Sequence, residues 1–372
     1  MMRSIIFVVT SALVTAAAAS LPASTATKEA DEKNSPRRLG QTHAEPPISP
    51  TSPLEESNEG TSPRRLGMTH VETAATPETV TYIIKFEDTA ASPGDRCEAL
   101  ALANGGVVRH VYKEVVNGCS LTMPLAEVGA QSGDVIALGD YPNVASIEKD
   151  RKVWAFEDGE DNIFDSTSQL QTREFVPAVY WNLDREDQCK LPLNGQATRK
   201  SATGTRVYVL DTGIQANHEE FKGLIDPNDH CHHNVVEARA LTDNNGHGTH
   251  VAATICGNKS GIATGCTLCS VKVLDVNGSG SVTGIIAGID HAMKDCKKNP
   301  GNRCVINMSL GLRGNSQMIT EAMANAVRGN IVVVLAAGNS NDDACKYSPA
   351  GITVTITVGS TTKADARSYL FQ

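Results

Sequence analysis

The chain lacks a basic surplus. Its 33 Lys and Arg residues are outnumbered by 42 Asp and Glu, giving a formal net charge of −9. That deficit argues against a general nucleic-acid binder and against a protein drawn to anionic membranes, since both need a positive field. Beyond its first twenty residues the chain also lacks any apolar run of about 18 residues, so no membrane span is expected. It has neither a fibrous nor a disordered composition: 40% of its residues are hydrophobic and 31 are glycine. At roughly 100–200 residues per domain, 372 residues allow one large domain and one small one.

The beginning reads as a targeting segment. Arg3 precedes an unbroken run of apolar and small residues from Ile5 to Ala19, and Ala17-Ala18-Ala19 offers a small-x-small cleavage site before Ser20. Residues 1–19 are therefore expected to be a secretory signal peptide; the run is short for a membrane anchor. Secretion places the ten cysteines in an oxidising compartment, where an even number reads most simply as disulfides. Residues 20–78 are rich in Pro, Ser, Thr and Glu and cannot bury enough apolar surface to offset their ordering entropy. Within them Ser35-Pro36-Arg37-Arg38-Leu39-Gly40 recurs as Ser62-Pro63-Arg64-Arg65-Leu66-Gly67. The duplication reads either as a paired processing site on an open chain or as a linker copied without a role.

Residues 79–156 read as a small α+β unit. Val80–Phe86 alternates like a strand, Arg96–Ala103 reads as a short helix, and Val107–Tyr112 and Cys119–Met123 as strands. Pro124–Leu138 is helix-like and Val144–Val153 completes the set as one strand. Two helices on an antiparallel sheet are expected; Cys97 and Cys119 could bridge inside this unit, although sequence does not determine the pairing. Residues 157–175 form an acidic, polar connector.

From residue 176 onward the pattern changes. Continuous apolar strands at Arg206–Leu210, Ser270–Leu274, Val305–Met308 and Ile331–Ala336 alternate with helical stretches at His250–Ile255, Ser281–Lys297 and Gln317–Arg328. This is the signature of an α/β domain, a parallel sheet with helices on both faces. Functional groups in such sheets gather at the carboxyl ends of the strands. Asp211 ends the first strand, where it is either a site carboxylate or a turn aspartate before Gly213. His247 lies in Asn245-Gly246-His247-Gly248-Thr249-His250. An imidazole with unperturbed pKa near 6.5 suits proton exchange near neutrality; the alternatives are a metal site shared with His250 or a helix cap. Asn339 follows the fourth strand, where its amide either donates to a developing oxyanion or is a loop residue. Cys266-x-x-Cys269 could belong to a redox or zinc site, but in a secreted chain disulfides are favoured.

Taken together, Asp211-Thr212-Gly213, His247-Gly248-Thr249-His250, Val271-Lys272-Val273-Leu274-Asp275, Gly278-Ser279-Gly280, Asn307-Met308-Ser309-Leu310-Gly311 and Ala336-Ala337-Gly338-Asn339 resemble the subtilisin-like serine proteases, nearest to their proteinase K branch. The resemblance runs from Trp181 to the end, and the 79–156 unit resembles the family's inhibitor propeptide. It implies that Asp211 orients His247, that His247 is general base and then general acid, and that Asn339 is an oxyanion donor. It further implies that Gly278, Ser279 and Gly280 pair with the substrate backbone, and that Ser309, Leu310, Gly311, Ala336, Ala337 and Gly338 line the specificity pocket. Protein or peptide substrates, a monomer inhibited by its own propeptide, and an extracellular location follow from the same resemblance. No cofactor is implied and no metal ligands are assigned; calcium enters only as a structural ion that family members often hold.

The chain departs from the family at two places. Val251 stands where the proteinase K branch often has a cysteine. The family's nucleophile lies in a Gly-Thr-Ser-Met-Ala stretch, and these residues contain none; Gly60-Thr61-Ser62 runs into Pro63. No nucleophile is therefore named. The expectation is a zymogen of a serine endopeptidase truncated before its nucleophile, processed at the acidic connector between about residues 155 and 172. The alternative is an inactive homologue that works by binding, as a protease inhibitor or an effector.

Overall fold

A computed structural model describes residues 78–88, 91–124, 138, 141–156, 180–227, 229–236 and 242–368. The signal peptide, the duplicated segment, the connector and all of the expected helix over 124–138 except its end residues lie outside the described residues; Pro124 ends a strand instead. Among the described residues no helix is long and apolar enough to cross a membrane.

The small domain contains β1 (Thr79–Phe86), α1 (Pro93–Ala103), β2 (Val107–Tyr112), β3 (Gly118–Pro124) and β4 (Val144–Lys149), followed by β5 (Lys152–Ala155). Its antiparallel sheet has the order β2-β3-β1-β4. β1 sends side chains into two cores. Tyr82, Ile84 and Phe86 join Cys97, Leu100, Leu121 and Leu138 in the domain's own core. Ile83 points the other way and joins Tyr112, Val115 and Val116 in the core of the large domain. Cys97 and Cys119 are bridged.

One expectation needs correction. Val144–Val153 is not a single strand. The chain bends at Asp150 and Arg151, and β5 leaves the small sheet to pair elsewhere. Asp150 anchors the bend: its Oδ1 accepts the Thr283 amide at 3.1 Å and its Oδ2 the Thr283 hydroxyl at 3.0 Å.

The large domain runs α2 (Trp181–Glu186), β6 (Lys200–Ser201), β7 (Thr205–Asp211), β8 (His233–Asn234), α3 (His247–Cys256), β9 (Ala263–Thr264), β10 (Thr267–Lys272), β11 (Ser279–Ser281), α4 (Val282–Lys298), β12 (Arg303–Met308), β13 (Leu310–Arg313), α5 (Gln317–Arg328), β14 (Ile331–Ala336), β15 (Tyr347–Ser348) and β16 (Ile356–Val358). Its main sheet is parallel, in the order β16-β14-β12-β7-β10-β8. The two faces can be read from β7: Tyr208 and Leu210 enter one core with α4 and α5, while Val207 and Val209 enter the other with α3. The alternation of β7 thus fixes which helix covers which side.

Under the sheet Arg206 spans two carboxylates. It lies 2.6 Å from Asp226 and also pairs with Asp295, whose Oδ2 accepts the Tyr208 hydroxyl at 2.7 Å. All three charged residues are buried. Three further disulfides join Cys231 to Cys269, Cys256 to Cys266 and Cys296 to Cys304, whereas Cys189 and Cys345 are free and exposed. The two cysteines of Cys266-x-x-Cys269 therefore belong to different bridges, and two cysteines depart from the all-disulfide expectation.

Candidate active site

Three strand ends and one helix start build the site. Asp211 closes β7, a central strand of the sheet, and is fully buried. Gly213, at φ 114°, turns the chain away; a Cβ there would meet the Thr242 carbonyl at 2.6 Å. His247 opens α3 and sets its Nδ1 2.8 Å from Asp211 Oδ1, which also accepts the Thr212 amide at 2.7 Å. Gly248 allows this approach, since a Cβ would sit 2.2 Å from the Gly213 carbonyl and 3.0 Å from Asp211 Oδ1. Among the described residues no third metal-ligating side chain clusters with His247 and His250. Burial, then the neighbouring His247, holds the His250 pKa below the usual imidazole range.

The loop that presents His247 is tied down by Asp243. Its Oδ1 accepts the Thr212 hydroxyl at 2.9 Å and the amides of Asn245 and Gly246 at 3.0 and 2.8 Å. Its Oδ2 accepts the Thr249 hydroxyl and amide at 2.6 and 2.9 Å. Burial alone would raise the Asp243 pKa, but these donors hold it below the usual carboxylate range. Thr212 relays the contact by accepting the Gly248 amide at 2.9 Å. Thr212 and Thr249 stand in the motifs read from the sequence but were given no role there, and Asp243 was not named as a site residue. The cue was an Asp two residues before Asn245, placed to fold its own turn.

Asn339 follows β14, beyond Gly338 at φ 117°, and is half-buried. It sits on the same strand-end edge as Asp211, with β12 between their strands.

The residues expected to hold substrate form a groove, and β5 lies in it. β11 pairs antiparallel with β5, Ser279 opposite Trp154 and Gly280 opposite Val153; β13 pairs with its other edge, Leu310 opposite Ala155 and Gly311 opposite Trp154. The contacts then alternate: Ala155 donates its amide to the Gly278 carbonyl at 2.7 Å, and Phe156 donates to the Ser309 carbonyl at 3.1 Å. Gly278, Ser279, Gly280, Ser309, Leu310 and Gly311 are thus brought together around one extended chain. Ala336, Ala337 and Gly338 lie at the end of β14, which pairs with β12 and β16 in the main sheet and not with β5.

Among the described residues, Asp226, Cys231 and Cys269 cluster closely enough to hold an ion. The set does not fit one: its sulfurs form a disulfide and its carboxylate is paired with Arg206.

A model of the subtilase family matches residues 202–370. A subtilisin-like serine protease AsES of Sarocladium strictum is 37% identical over 291 residues, spanning 77% of this chain and 67% of that protein. The chain belongs to the subtilase family. The subtilase chain is also 41% identical to an extracellular serine proteinase of Thermus sp. (strain Rt41A), over 71% of itself and 57% of that protein. It thus spans little more than half the length of this relative. A solved cold-adapted subtilisin-like serine proteinase is 39% identical, covering 53% of this chain and 69% of that one at a TM-score of 0.48. The parallel sheet with its two helical layers is the subtilisin-like fold of this family.

Proposed function

We propose that this subtilase is a secreted serine endopeptidase made as a zymogen, with residues 79–156 as an inhibitor propeptide and proteins as substrates. The observation that carries the reading is the 2.8 Å contact of His247 with buried Asp211, at the end of a groove that holds an extended chain. With Nδ1 tied to the carboxylate, Nε2 is the ring nitrogen that takes a proton from an attacking hydroxyl and returns it to the leaving amine. Asp211 stabilises the imidazolium formed between these steps. Asn339 is proposed to donate to the oxyanion. The attacking serine hydroxyl belongs to a Gly-Thr-Ser-Met-Ala stretch that is not among these residues, so none of them is assigned that role.

The test is hydrolysis of casein by the secreted full-length gene product, together with labelling by a fluorophosphonate that reacts with activated serines. Hydrolysis and labelling are expected, with hydrolysis falling by about 10²–10⁴ or more in His247→Ala. Neither hydrolysis nor label in the unaltered protein would overturn the enzyme reading. Inhibition of related proteases by the intact chain would then become the function to measure.

A further inference from the structure

We infer that the cavity between the last two turns of α4 and the loop at residues 230–232 binds a tetrahedral oxyanion, a sulfate or phosphate group that is free or carried as an ester on a small polar molecule. The cavity is lined by His230, His232, His291, Lys294, Asp295 and Lys298. It lies away from the His247 site. Asp295 pairs with Arg206 near the start of β7, whereas Asp211 closes that strand at its other end.

The charge comes from one stripe of α4. His291, Lys294, Asp295 and Lys298 stand at i, i+3, i+4 and i+7, the spacing of a single helix face. Lys294 and Lys298 are exposed, and like charges four apart repel. Among the described residues neither lysine has an ion-pair partner. Asp295 is the one carboxylate of the lining, and it is already engaged. Its Oδ2 accepts the Tyr208 hydroxyl at 2.7 Å and pairs with Arg206, and its Oδ1 accepts the Asn299 side-chain amide at 3.3 Å. Arg206 also serves Asp226, so this buried trio carries one net negative charge against the two lysines. The surroundings of the cavity are thus positive by one charge with every imidazole neutral, in a chain whose net charge is −9.

The imidazoles divide into two kinds. His232 is committed to the fold: its Nδ1 accepts the Ser270 amide at 3.0 Å and its Nε2 donates to the Asp226 carbonyl at 2.9 Å. His291 donates from Nε2 to the Cys231 carbonyl at 3.3 Å, so Nδ1 is the nitrogen that takes a second proton. Around it stand Lys294 and Asp295 of its own helix, His232 and the Cys231 carbonyl of the loop, and His233 of β8, whose ring stacks on it at 4.3 Å. Beyond His233 lies His110 of the small domain. Burial holds the His291 pKa low against the pull of the Cys231 carbonyl and Asp295. An oxyanion in the cavity gives the charged ring a partner and raises that pKa. Binding therefore takes up a proton, and affinity rises as pH falls through the imidazole range.

Two ammonium groups and an imidazolium suit a ligand with three acceptor oxygens. The cavity, about 310 Å³, also has room for a body attached to them, since small-molecule pockets run from roughly 300 to 1,000 Å³. A cation is excluded by the lysines, and among the described residues these histidines form no cluster close enough to hold one.

The experiment follows the histidine ring resonances of the intact chain by NMR, titrated with pH in sodium sulfate and in sodium chloride of equal ionic strength. Sulfate keeps its charge across this range. The His291 pKa is expected to rise by about one unit in sulfate, a tenfold change in the proton equilibrium, while exposed His218 stays put. In the double variant Lys294→Gln, Lys298→Gln the shift should vanish and sulfate should bind at least about 10-fold more weakly. Both lysines are exposed, so this variant keeps the core intact. Glucose 6-sulfate separates the sources: tighter binding than inorganic sulfate assigns the site to an ester, weaker binding to the free ion. A His291 pKa that neither ligand moves, or that moves only as far as that of His218, overturns the site. So does a shift that survives the loss of both lysines.

Discussion

Asp290 Oδ1 lies 2.6 Å from the backbone nitrogen of Glu114. The same oxygen takes the amides of Lys113 and Val115 at 3.0 and 3.1 Å. One carboxylate on α4 thereby satisfies three successive donors of the small domain, a turn whose amides would otherwise be stranded between two cores. Burial pushes the Asp290 pKa up, and the three amides work against that rise. Asp290→Ala is expected to lower stability by about 1–3 kcal/mol through the donors it strands. Hydrogen exchange on the intact chain checks it: protection at Lys113–Val115 should fall while protection in β12 and β14 persists.

Asp243 predicts a different kind of loss. It touches neither the substrate groove nor the His247 ring, yet it fixes the loop through five donors. Asp243→Ala should reduce kcat, by about 10²-fold as a misplaced base does, with KM little changed. Asp243→Asn, which keeps the acceptor oxygen, should recover part of it. Steady-state kinetics on a peptide substrate separates the two effects; an equal rise in KM would point to groove damage instead.

The Arg206 network is a matter of stability. Removing the guanidinium in Arg206→Met leaves Asp226 and Asp295 buried with an uncompensated charge, and about 3–5 kcal/mol should be lost. Chemical denaturation of the intact chain measures it. A loss under about 1 kcal/mol would mean that the carboxylates find protons or water.

Besides His250, three histidines make the chain sensitive to acid. The rings of His233 and His291 stack at 4.3 Å, and His110 of the small domain feels the charge of His233. Burial, then His291 and Lys294, pushes the His233 pKa down to about 4. Burial also lowers His291 and His110. A depressed imidazole is neutral in both states above pH 6.5, so stability is complete there. As pH falls from 6.5 toward about 4, the unfolded chain takes up protons that the folded chain refuses, and stability drops. Melting temperature against pH should show this slope, flattened in His233→Gln.

These cases mark what the sequence could carry. The strand Ile331–Ala336 and the helix Gln317–Arg328 were legible to the residue, because unbroken apolar runs and a single amphipathic face are local signals. Asp211 at a strand end and His247 between glycines were singled out with other roles open, and the structure sets them 2.8 Å apart. β5 was not: Asp150-Arg151 holds neither glycine nor proline to announce a bend, and the strand's partners are more than a hundred residues away. The short edge strands β8 and β16, two and three residues long, gave no periodicity to read. Cysteine pairing, likewise, is a property of the folded chain.

The position of β5 between β11 and β13 also sets a threshold for any guest. Both walls offer peptide groups rather than a ready-made cup for side chains, so whatever replaces β5 must present some five residues of bare, extended backbone from Lys152 to Phe156's places. A segment inside a helix or a paired strand has already spent those groups on its own neighbours. If this groove takes substrates as proposed, it discriminates by local unfolding before it discriminates by sequence, with frayed termini and loose loops the segments that fit.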